Sequence, residues 1–396
     1  MEFLKNIRIV SSTSPSNKRV LLRVDFNVTI SPDMKIVSDQ RIIQAIPTIK
    51  LLLKNRNKII LISHLGRPNG RDAKLSLSNV AERLQVFISD YKIILIDDFQ
   101  SELGEQKLKL QKDNEIIILE NIRFYKEEQE NNKIFAKKLS LLADAYVNDA
   151  FGVCHRSDAS IVSIPLFIPS FCGLLLEKEI TAISMLFKNR SHPITAIIGG
   201  AKISTKIKFL SKLTTIADKI ILGGALANTF LLAKGFPVGN SLIEEGSIED
   251  AKKIMSLAEK NNTKIILPID ALGIDNNEVK SFTITSIPIN FAVLDIGPQS
   301  RLLFTNNISK ANTIIWNGPV GKCEDSSFSQ GTIAIYNAIA NNNHCFSVIG
   351  GGDTLAAISD KKYHEKISHI STGGGALLAF IENSTLPGID AIRQNL

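Results

Sequence analysis

One pattern recurs along the chain: a short run of β-branched and leucine residues, a turn of glycine or polar residues, then an amphipathic stretch. Short apolar strands that alternate with helices predict parallel sheets with helices on both faces. The predicted fold class is therefore α/β. The predicted strands are RVLLRVD (19–25), KIILIS (58–63), EIIILE (115–120), AYVND (145–149), ITAIIG (194–199), KIILGG (219–224), KIILP (264–268), NTIIWN (312–317) and CFSVIG (345–350).

These strands fall into two groups, which predicts two domains. A chain of 396 residues is too long for one ordinary core. Between the groups, Ile180, Ile183, Leu186 and Phe187 have helical spacing, which indicates a linking helix rather than a loose linker. The predicted parts are an N-terminal domain at 1–176, a hinge helix at 177–192, a C-terminal domain at 193–371 and a final segment at 372–396.

Composition excludes several classes of protein. Hydrophobic residues make up 44% of the chain, which excludes a mostly disordered protein. The net charge of +7 admits an anionic ligand, but no block of like charges exists, so we expect no nucleic-acid partner. The four cysteines are far apart and predict neither a zinc site nor a disulfide framework. The first residues carry no signal pattern, which predicts a cytoplasmic protein.

One uncharged stretch, ASIVSIPLFIPSFCGLLL (159–176), is long enough to suggest a membrane span. Pro165 and Pro169 interrupt it, because proline removes a backbone donor and breaks a helix interior. We interpret the stretch as a buried loop or the start of a helix, and expect no membrane partner.

Polar residues in the first half cluster at predicted strand ends, where open α/β sheets bind ligands. Guanidinium groups match phosphate and carboxylate bidentately, so convergent arginines would bind a small polyanion. The alternative is that each arginine is an ordinary surface or ion-pair residue. The residues concerned are Asp25, Asn27, Arg41, His64, Arg67, Arg123, His155 and Arg156.

Glycine-rich turns mark the strand ends of the second half, at 199–204 (GGAKIS), 350–354 (GGGDT) and 371–375 (STGGG). If a helix starts at the first turn, Lys202 and Lys206 share one face near its N-terminus and could bind phosphate. A plain tight turn is the alternative. The Asp353 carboxylate suits Mg²⁺, and the alternative for it is a helix N-cap. The Walker A and GxGxxG spacings are both absent.

Eight motifs occur in the order found in phosphoglycerate kinases, from about residue 20 to 390. They are RVDFNV, SHLGRP, LENIRF, AYVNDAFG, GGAKIS, WNGPVG, GGGDT and STGGGA. The chain thus resembles this family over nearly its whole length. The resemblance implies two Rossmann-like domains with an active-site cleft between them, and a final segment that returns to the first domain. It implies reversible phosphoryl transfer between 1,3-bisphosphoglycerate and Mg-ADP by a monomer.

The resemblance also implies the site residues. Substrate-binding positions are Asp25, Phe26, Asn27, Arg41, His64, Leu65, Gly66, Arg67, Arg123 and Arg156. Nucleotide-binding positions are Lys202, Lys206, Gly223, Gly224, Gly297, Asn317, Glu324, Gly351, Gly352, Asp353 and Thr354, with Asp353 also the Mg²⁺ ligand. Catalytic positions are Arg41, Lys206, Gly374 and Gly375. The residues that depart from the family pattern are Thr29, Asp158, Lys322, Cys323 and Leu377.

Two rival functions remain open at this level. A catalytically silent nucleotide-binding homologue would keep the fold but lose residues such as Lys206 and Asp353, which are present. A dinucleotide oxidoreductase would need the missing GxGxxG turn. Phosphoryl transfer to a carboxylate needs no general base, which agrees with the absence of a Ser-His-Asp or paired-carboxylate arrangement.

Overall fold

The computed structural model describes residues 2–188, 191–358 and 361–394. The described residues divide into two compact units. The first contains the chain up to Thr181 together with the chain from Asn383 onward, and the second is Ala182–Glu382. The sequence analysis placed the linking helix at 177–192 and the returning segment at 372–396. Residues 189 and 190 of that helix lie outside the described residues.

The first unit is built on a parallel sheet of six strands in the order β3-β4-β2-β1-β5-β6. The strands are β1 Arg19–Arg23, β2 Lys58–Ile62, β3 Lys92–Ile96, β4 Glu115–Leu119, β5 Ala145–Asn148 and β6 Ser170–Cys172. The helices are α1 Gln40–Lys54, α2 Ser78–Phe87, α3 Glu102–Lys109, α4 Lys126–Gln129, α5 Lys133–Ser140 and α6 Leu174–Lys188. The break between the units lies within α6.

The second unit has a parallel sheet of six strands in the order β15-β14-β13-β7-β8-β9, and an antiparallel sheet β11-β10-β12. The strands are β7 Ile194–Ile198, β8 Lys219–Leu222, β9 Lys264–Ile266, β10 Asp270–Asp275, β11 Glu278–Thr283, β12 Ala292–Ile296, β13 Thr313–Asn317, β14 Phe346–Gly350 and β15 His369–Ser371. The helices are α7 Ile207–Leu213, α8 Gly224–Ala233, α9 Ile248–Lys260, α10 Pro298–Ile308, α11 Gln330–Asn341, α12 Gly352–Ala357 and α13 Gly374–Asn383.

The last helix, α14 Pro387–Arg393, packs within the first unit. The Gly388 N–H donates to the Cys154 carbonyl at 2.9 Å, and Arg393 Nη2 donates to the Phe3 carbonyl at 2.9 Å. Its apolar side chains, including Ile389 and Ile392, are buried. We call residues 384–394 the C-terminal arm.

The apolar runs of the sequence form the parallel sheets. Successive side chains of a strand point to opposite faces of the sheet, and here both faces are covered. In β4 the side chains from Ile116 to Leu119 are all buried, and in β7 every residue from Ile194 to Ile198 is buried. Continuous burial of this kind is typical of a parallel sheet covered by helices. The predicted α/β class with two parallel sheets is confirmed. Among the described residues, no helix combines the length and apolarity that crossing a bilayer requires.

Three predictions about local structure were incomplete. Strand β3 repeats the sequence KIILI of β2 but was not assigned. The antiparallel sheet β10–β12 was missed, because its strands alternate in burial and carry polar residues. The stretch 159–176 contains one turn of π-helix at Ala159–Ser163 and the strand β6, so its interpretation as loop or helix missed a strand. That strand is short, and Pro169 immediately precedes it.

Candidate functional site

The first candidate site lies at the carboxyl edge of β1, β2 and β4 in the first unit. These three strands are adjacent in the sheet, so the turns that follow them meet at one edge. The turn after β1 carries Asp25, Phe26 and Asn27, that after β2 carries His64 to Arg67, and that after β4 carries Arg123. The sequence prediction that these side chains share one strand edge agrees with this topology.

Asp25 and Arg41 form an ion pair at the centre of this site. Asp25 Oδ1 also accepts the Asn27 N–H at 3.2 Å. Burial raises the pKa of Asp25, but the charges of Arg41 and Arg23 and the hydrogen bond from the Asn27 N–H outweigh it and hold that pKa below its ordinary value. Asp25 is therefore ionised at neutral pH and holds the Arg41 guanidinium beside the strand edge.

Hydrogen bonds between turns fix the backbone around Gly66. Its N–H donates to Asn27 Oδ1 at 2.8 Å, and its carbonyl accepts from Arg123 Nη1 at 3.0 Å. Gly66 has φ +65°, a conformation that glycine adopts without steric strain. The neighbouring Leu65 N–H donates to Asn121 Oδ1 at 3.2 Å. The turn after β2 is thus joined to the turns after both β1 and β4.

Arg123 is a buried cation with a like charge nearby. Its side chain is only 3% exposed, and Nη2 lies 3.4 Å from Asp158 Oδ2. Burial lowers the pKa of Arg123, and repulsion by Arg156 lowers it further. Its Nε has no hydrogen-bond partner among the described residues. Two guanidinium groups that repel each other form a site that an anion would stabilise.

The remaining predicted residues of this site differ in exposure. His64 is 2% exposed, and burial lowers its pKa well below the ordinary value, so the ring is neutral at pH 7. Phe26 is fully buried, and its N–H donates to Ser63 Oγ at 2.9 Å. Arg67 is exposed. Phe26 and Leu65 therefore support the site through their backbone, whereas Arg67 is available to a ligand through its side chain.

The second candidate site lies in the second unit, at the carboxyl edge of the adjacent strands β8, β7, β13 and β14. Its glycine turns contact one another through the backbone. The Gly199 N–H donates to the Asn317 carbonyl at 2.9 Å, the Gly200 N–H to the Pro319 carbonyl at 2.9 Å and the Gly224 N–H to the Val320 carbonyl at 3.0 Å. Turns without side chains let a phosphate approach backbone amides closely.

The turn after β14 is held by Asn317 and Thr354. Asn317 Nδ2 donates to the Gly350 carbonyl at 2.8 Å, and the Gly318 N–H donates to Thr354 Oγ1 at 2.7 Å. Gly351 has φ +110°, and a Cβ there would lie 2.7 Å from Asn317 Nδ2. Any other residue at position 351 would be strained and would displace the Asn317 side chain.

The turn after β15 joins the same group. A Cβ placed on Gly374 would lie 4.0 Å from Gly351 Cα and from the Gly352 nitrogen, so these turns are in van der Waals contact. Gly375 follows in the first turn of α13. The structure thus brings together four of the strand-end turns that the sequence singled out: those after β7, β13, β14 and β15. Gly223 and Gly224, after β8, contact the same group.

The expected helix at the first glycine turn begins later than its sequence suggested. Helix α7 starts at Ile207, with Lys206 as its N-cap, so Lys202 and Lys206 do not share a helical face. The backbone from Ile203 to Lys206 forms a turn instead. The Glu244 carboxylate holds this turn by accepting the Ile203 N–H at 2.7 Å and the Ser204 N–H at 3.0 Å. A distant carboxylate that satisfies these donors is a tertiary contact that no local pattern predicts.

The two lysines have different environments. Lys206 Nζ donates to the Gly199 carbonyl at 2.6 Å, and burial lowers its pKa while the Asp353 charge opposes that shift. Lys202 is exposed. Asp353 is also exposed, in the first turn of α12. Lys206 and Asp353 are therefore close enough to interact electrostatically across two of the glycine turns.

Two predicted nucleotide positions lie outside these turns. Gly297 is the N-cap of α10 and follows β12 of the antiparallel sheet, where a Cβ would clash with the Asp270 carboxylate. Glu324 is exposed in the loop between β13 and α11. Neither placement by itself indicates a role, so their assignment to the nucleotide stays a prediction.

Comparison with known proteins identifies the family. The sequence profile described as phosphoglycerate kinase matches residues 10–384. Proteins named phosphoglycerate kinase match from Dictyoglomus turgidum, with 43% identity over 95% of this chain and 96% of theirs, and from Wolbachia pipientis wMel, with 42% identity over 99% and 100%. The chain belongs to the phosphoglycerate kinase family.

Solved structures of the family have the same fold. The phosphoglycerate kinase from Coxiella burnetii matches with a TM-score of 0.87 and 36% identity, covering 98% of this chain and 99% of that one. The enzyme from Pyrococcus horikoshii OT3 gives the same TM-score with 32% identity and the same coverage. The chain has the function of this family, the phosphoglycerate kinase step of glycolysis, with 3-phosphoglycerate and ADP or ATP as small-molecule substrates. Nothing supports the silent homologue.

The departures from the family motifs have simple structural settings. Leu377 is fully buried in α13, where its side chain fills the space that Gly350 leaves open: a Cβ on Gly350 would lie 2.3 Å from Leu377 Cδ2. Thr29 and Lys322 are exposed. Cys323 Sγ is 3.2 Å from Thr332 Oγ1. Asp158 pairs with Arg123, so this departure contributes directly to the first site.

Sequence reasoning missed the residues that hold the first site in place. Arg23, Ser63, Glu120 and Asn121 are all buried around it. Asn121 Nδ2 donates to the Leu65 carbonyl at 2.7 Å, and Glu120 Oε1 accepts the Leu77 N–H at 2.7 Å. A signal was available for Arg23, because an arginine inside an apolar strand run requires a buried partner. No such signal marks Ser63 or Asn121.

Proposed function

We propose that the strand-edge site of the first unit binds the 3-phosphoglycerate part of the substrate. The observation that carries this proposal is the group of cations at this edge: Arg41 pairs with Asp25, Arg123 pairs with Asp158, and Arg156 repels Arg123. An anion with a phosphate and a carboxylate would relieve the repulsion and match the guanidinium forks. Asn27, His64 and Arg67 would add neutral and charged donors, and Phe26, Leu65 and Gly66 complete the proposed substrate site.

We propose that the glycine turns of the second unit bind the phosphates of ADP or ATP. These turns lie at strand ends, and Gly352 in the first turn of α12 has nothing within 4 Å of the position that a Cβ would take, which leaves room for a phosphate there. Lys206 would contact the transferred phosphoryl group, and exposed Lys202 would add charge. The other predicted nucleotide residues are Gly223, Gly224, Gly297, Asn317, Glu324, Gly351, Gly352 and Thr354.

Asp353 fits a role as the protein ligand of Mg²⁺. Magnesium keeps several waters and commonly takes one or two carboxylates together with substrate phosphates, and Asp353 offers an exposed carboxylate beside the glycine turns. Among the described residues no group of three or more His, Cys, Asp or Glu side chains could hold a metal alone. The ion, when bound, would neutralise charge on the nucleotide phosphates.

The reaction needs positioning and charge neutralisation rather than proton transfer. The acceptor in the ATP-consuming direction is a carboxylate, which is ionised at neutral pH and needs no general base. Arg41 from the first unit, with Lys206, Gly374 and Gly375 from the second, would stabilise the negative charge of the phosphoryl group in an in-line transfer. Direct transfer requires the two ligands to meet, so hinge closure of the two domains remains our prediction.

A coupled assay tests the function directly. Purified protein with 3-phosphoglycerate and Mg-ATP should form 1,3-bisphosphoglycerate, detected through the dehydrogenase that consumes it. Calorimetric titration of each ligand alone tests the two sites separately. Folded protein that binds nucleotide but shows no turnover would contradict the catalytic proposal. We further propose a cytoplasmic monomer with no nucleic-acid or membrane partner, and light scattering of the purified protein tests the oligomeric state.

A further inference from the structure

A fully buried arginine lies directly beneath the first site. Arg23 is the last residue of β1, and its side chain is 0% exposed. All three of its guanidinium nitrogens face an acceptor. Nε donates to Ser160 Oγ at 2.8 Å, Nη1 donates to the Val24 carbonyl, and Nη2 lies 3.4 Å from His64 Nδ1. Arginine carries only donors, so each of these partner atoms must accept.

Ser160 links Arg23 to its counter-charge, the Glu128 carboxylate. Ser160 Oγ accepts from Arg23, so its single hydrogen is free to donate to Glu128 Oε1 at 2.5 Å. Glu128 is also 0% exposed, and its Oε2 accepts the Ser160 N–H at 2.8 Å. Tyr146 donates to the Ser160 carbonyl at 2.7 Å. Burial raises the pKa of Glu128, and the Arg23 charge and the Ser160 hydrogen bonds oppose that shift. With Glu128 as the carboxylate, every hydrogen bond from Glu128 through Ser160 to Arg23 has one direction.

This chain of hydrogen bonds determines which nitrogen of His64 carries the hydrogen. Because Nδ1 faces a donor, it must be the unprotonated nitrogen, and a neutral ring then carries its hydrogen on Nε2. The charged groups that face the ring are Asp25, Arg23, Arg41 and Arg123. Three are cations, and the Asp25 carboxylate lies 4.0 Å from Nδ1, too far for a hydrogen bond.

We propose that Arg23 is a positioning residue for His64: it holds the ring as the neutral tautomer with the hydrogen on Nε2, so that the ring donates to an anionic substrate oxygen. The proposal rests on the proposed function, in which His64 contacts 3-phosphoglycerate. It also gives Glu128 a role, because Glu128 and Ser160 fix the guanidinium that faces His64. An ordinary buried ion pair would stabilise the fold without setting the state of a histidine ring.

The first test measures the His64 ring in the unaltered protein. Protein with ¹⁵N-labelled histidine gives ring-nitrogen signals that separate the two tautomers and the charged ring, and the signal absent in His64→Gln identifies His64. We expect a protonated Nε2, an unprotonated Nδ1 and no titration between pH 6 and 8. A hydrogen on Nδ1, or a charged ring at pH 7, would overturn the proposal.

The second test removes the guanidinium while avoiding an unpaired buried charge. The double variant Arg23→Gln/Glu128→Gln is compared with Glu128→Gln alone, and Arg19→Gln, at the other end of β1, is the matched control. Loss of the Arg23 charge should raise the pKa of His64, because burial still lowers that pKa but one of the three cations that oppose protonation is gone. We expect KM for 3-phosphoglycerate to rise about tenfold at pH 8 and to fall as pH decreases toward 6, with kcat nearly unchanged.

The outcomes separate this proposal from the proposed function. A double variant whose KM stays flat with pH and equal to that of Glu128→Gln would overturn the role of Arg23. If His64→Gln itself leaves KM for 3-phosphoglycerate unchanged, His64 does not contact the substrate and the proposed site is wrong at that residue. Should the double variant fail to fold, the tautomer measured in the unaltered protein decides the proposal.

Discussion

The two candidate sites consist of different chemical groups, side chains in one and backbone in the other. The site of the first unit includes buried side chains, such as those of His64 and Arg123, which polar partners hold in place. The site of the second unit consists of backbone turns in direct contact, with exposed Lys202 and Asp353 beside them. The first site would bind its ligand through oriented charged side chains. The second would bind its ligand where glycine leaves the backbone accessible.

This difference has a structural consequence for each unit. A buried guanidinium or imidazole needs hydrogen-bond partners in the protein, so the first site requires a second layer of polar residues such as Arg23 and Asn121. Glycine turns require only that adjacent strands end together, which the sheet order already provides. We therefore expect the first site to be sensitive to distant substitutions and the second to be sensitive mainly to added side chains.

The largest expected effect comes from removing the C-terminal arm, which should affect one unit and spare the other. Truncation after Asn383 removes the buried side chains of Leu386, Ile389 and Ile392. Each contributes roughly 1.5–3 kcal/mol, so the first unit should lose roughly 4 kcal/mol or more of its free energy of unfolding. Hydrogen exchange measures this unit by unit, with the second unit as the internal control. Unchanged protection at Ala159–Ser163 would contradict the docking.

Next in size is Arg41→Ala, which tests whether the first site contributes to catalysis as well as binding. We expect kcat to fall about a hundredfold, or about 3 kcal/mol, because charge that develops in transfer loses its counter-charge. KM for 3-phosphoglycerate should rise only a few-fold. Arg83→Ala is the matched control, since Arg83 also pairs with an aspartate, Asp39. A higher KM with kcat within a factor of two would make Arg41 a plain binding residue.

The smallest effect is expected for Asp353→Asn, which tests the second site alone. The affinity for Mg-ADP should fall about tenfold, or about 1.4 kcal/mol, because the proposed metal ligand loses its charge. The affinities for 3-phosphoglycerate and for ADP without Mg²⁺ should not change. Calorimetry of each ligand checks this, with Asp250→Asn in the first turn of α9 as the control. If the affinity for ADP fell equally with and without Mg²⁺, Asp353 would be a cap of helix α12 and not a metal ligand.

Much of the fold follows from local pattern. The apolar runs at 58–63, 115–120, 194–199 and 312–317 each contain a buried parallel strand, because an uninterrupted β-branched run suits a strand covered on both faces. The search for apolar runs did not identify the antiparallel strands β10 and β11. One of their faces is solvated, so polar residues alternate with apolar ones and dilute the signal.

The candidate sites were predicted unevenly for a physical reason. Glycine clusters and arginines next to turns are visible in sequence, and the structure places the three glycine-rich turns together with the turn after β13. The residues that orient them are distant in sequence: Glu244 holds the Ile203–Lys206 turn from 41 residues away, and Asn121 holds Leu65 from 56 residues away. Such pairings depend on which strands are adjacent, and strand order is not a local property.

The sequence by itself determined the fold class, the family and the types of residue available for phosphoryl transfer, because apolar periodicity and turn composition act over a few neighbouring residues. The tertiary structure decided which of those residues are charged, which are buried and which hydrogen bonds they make. His64 shows the distinction. The sequence shows that residue 64 is a histidine. Its neutral state follows from burial and from three nearby cations, Arg23, Arg41 and Arg123, which lie on three different elements. A pKa depends on all charges nearby in space, so only the folded molecule sets it.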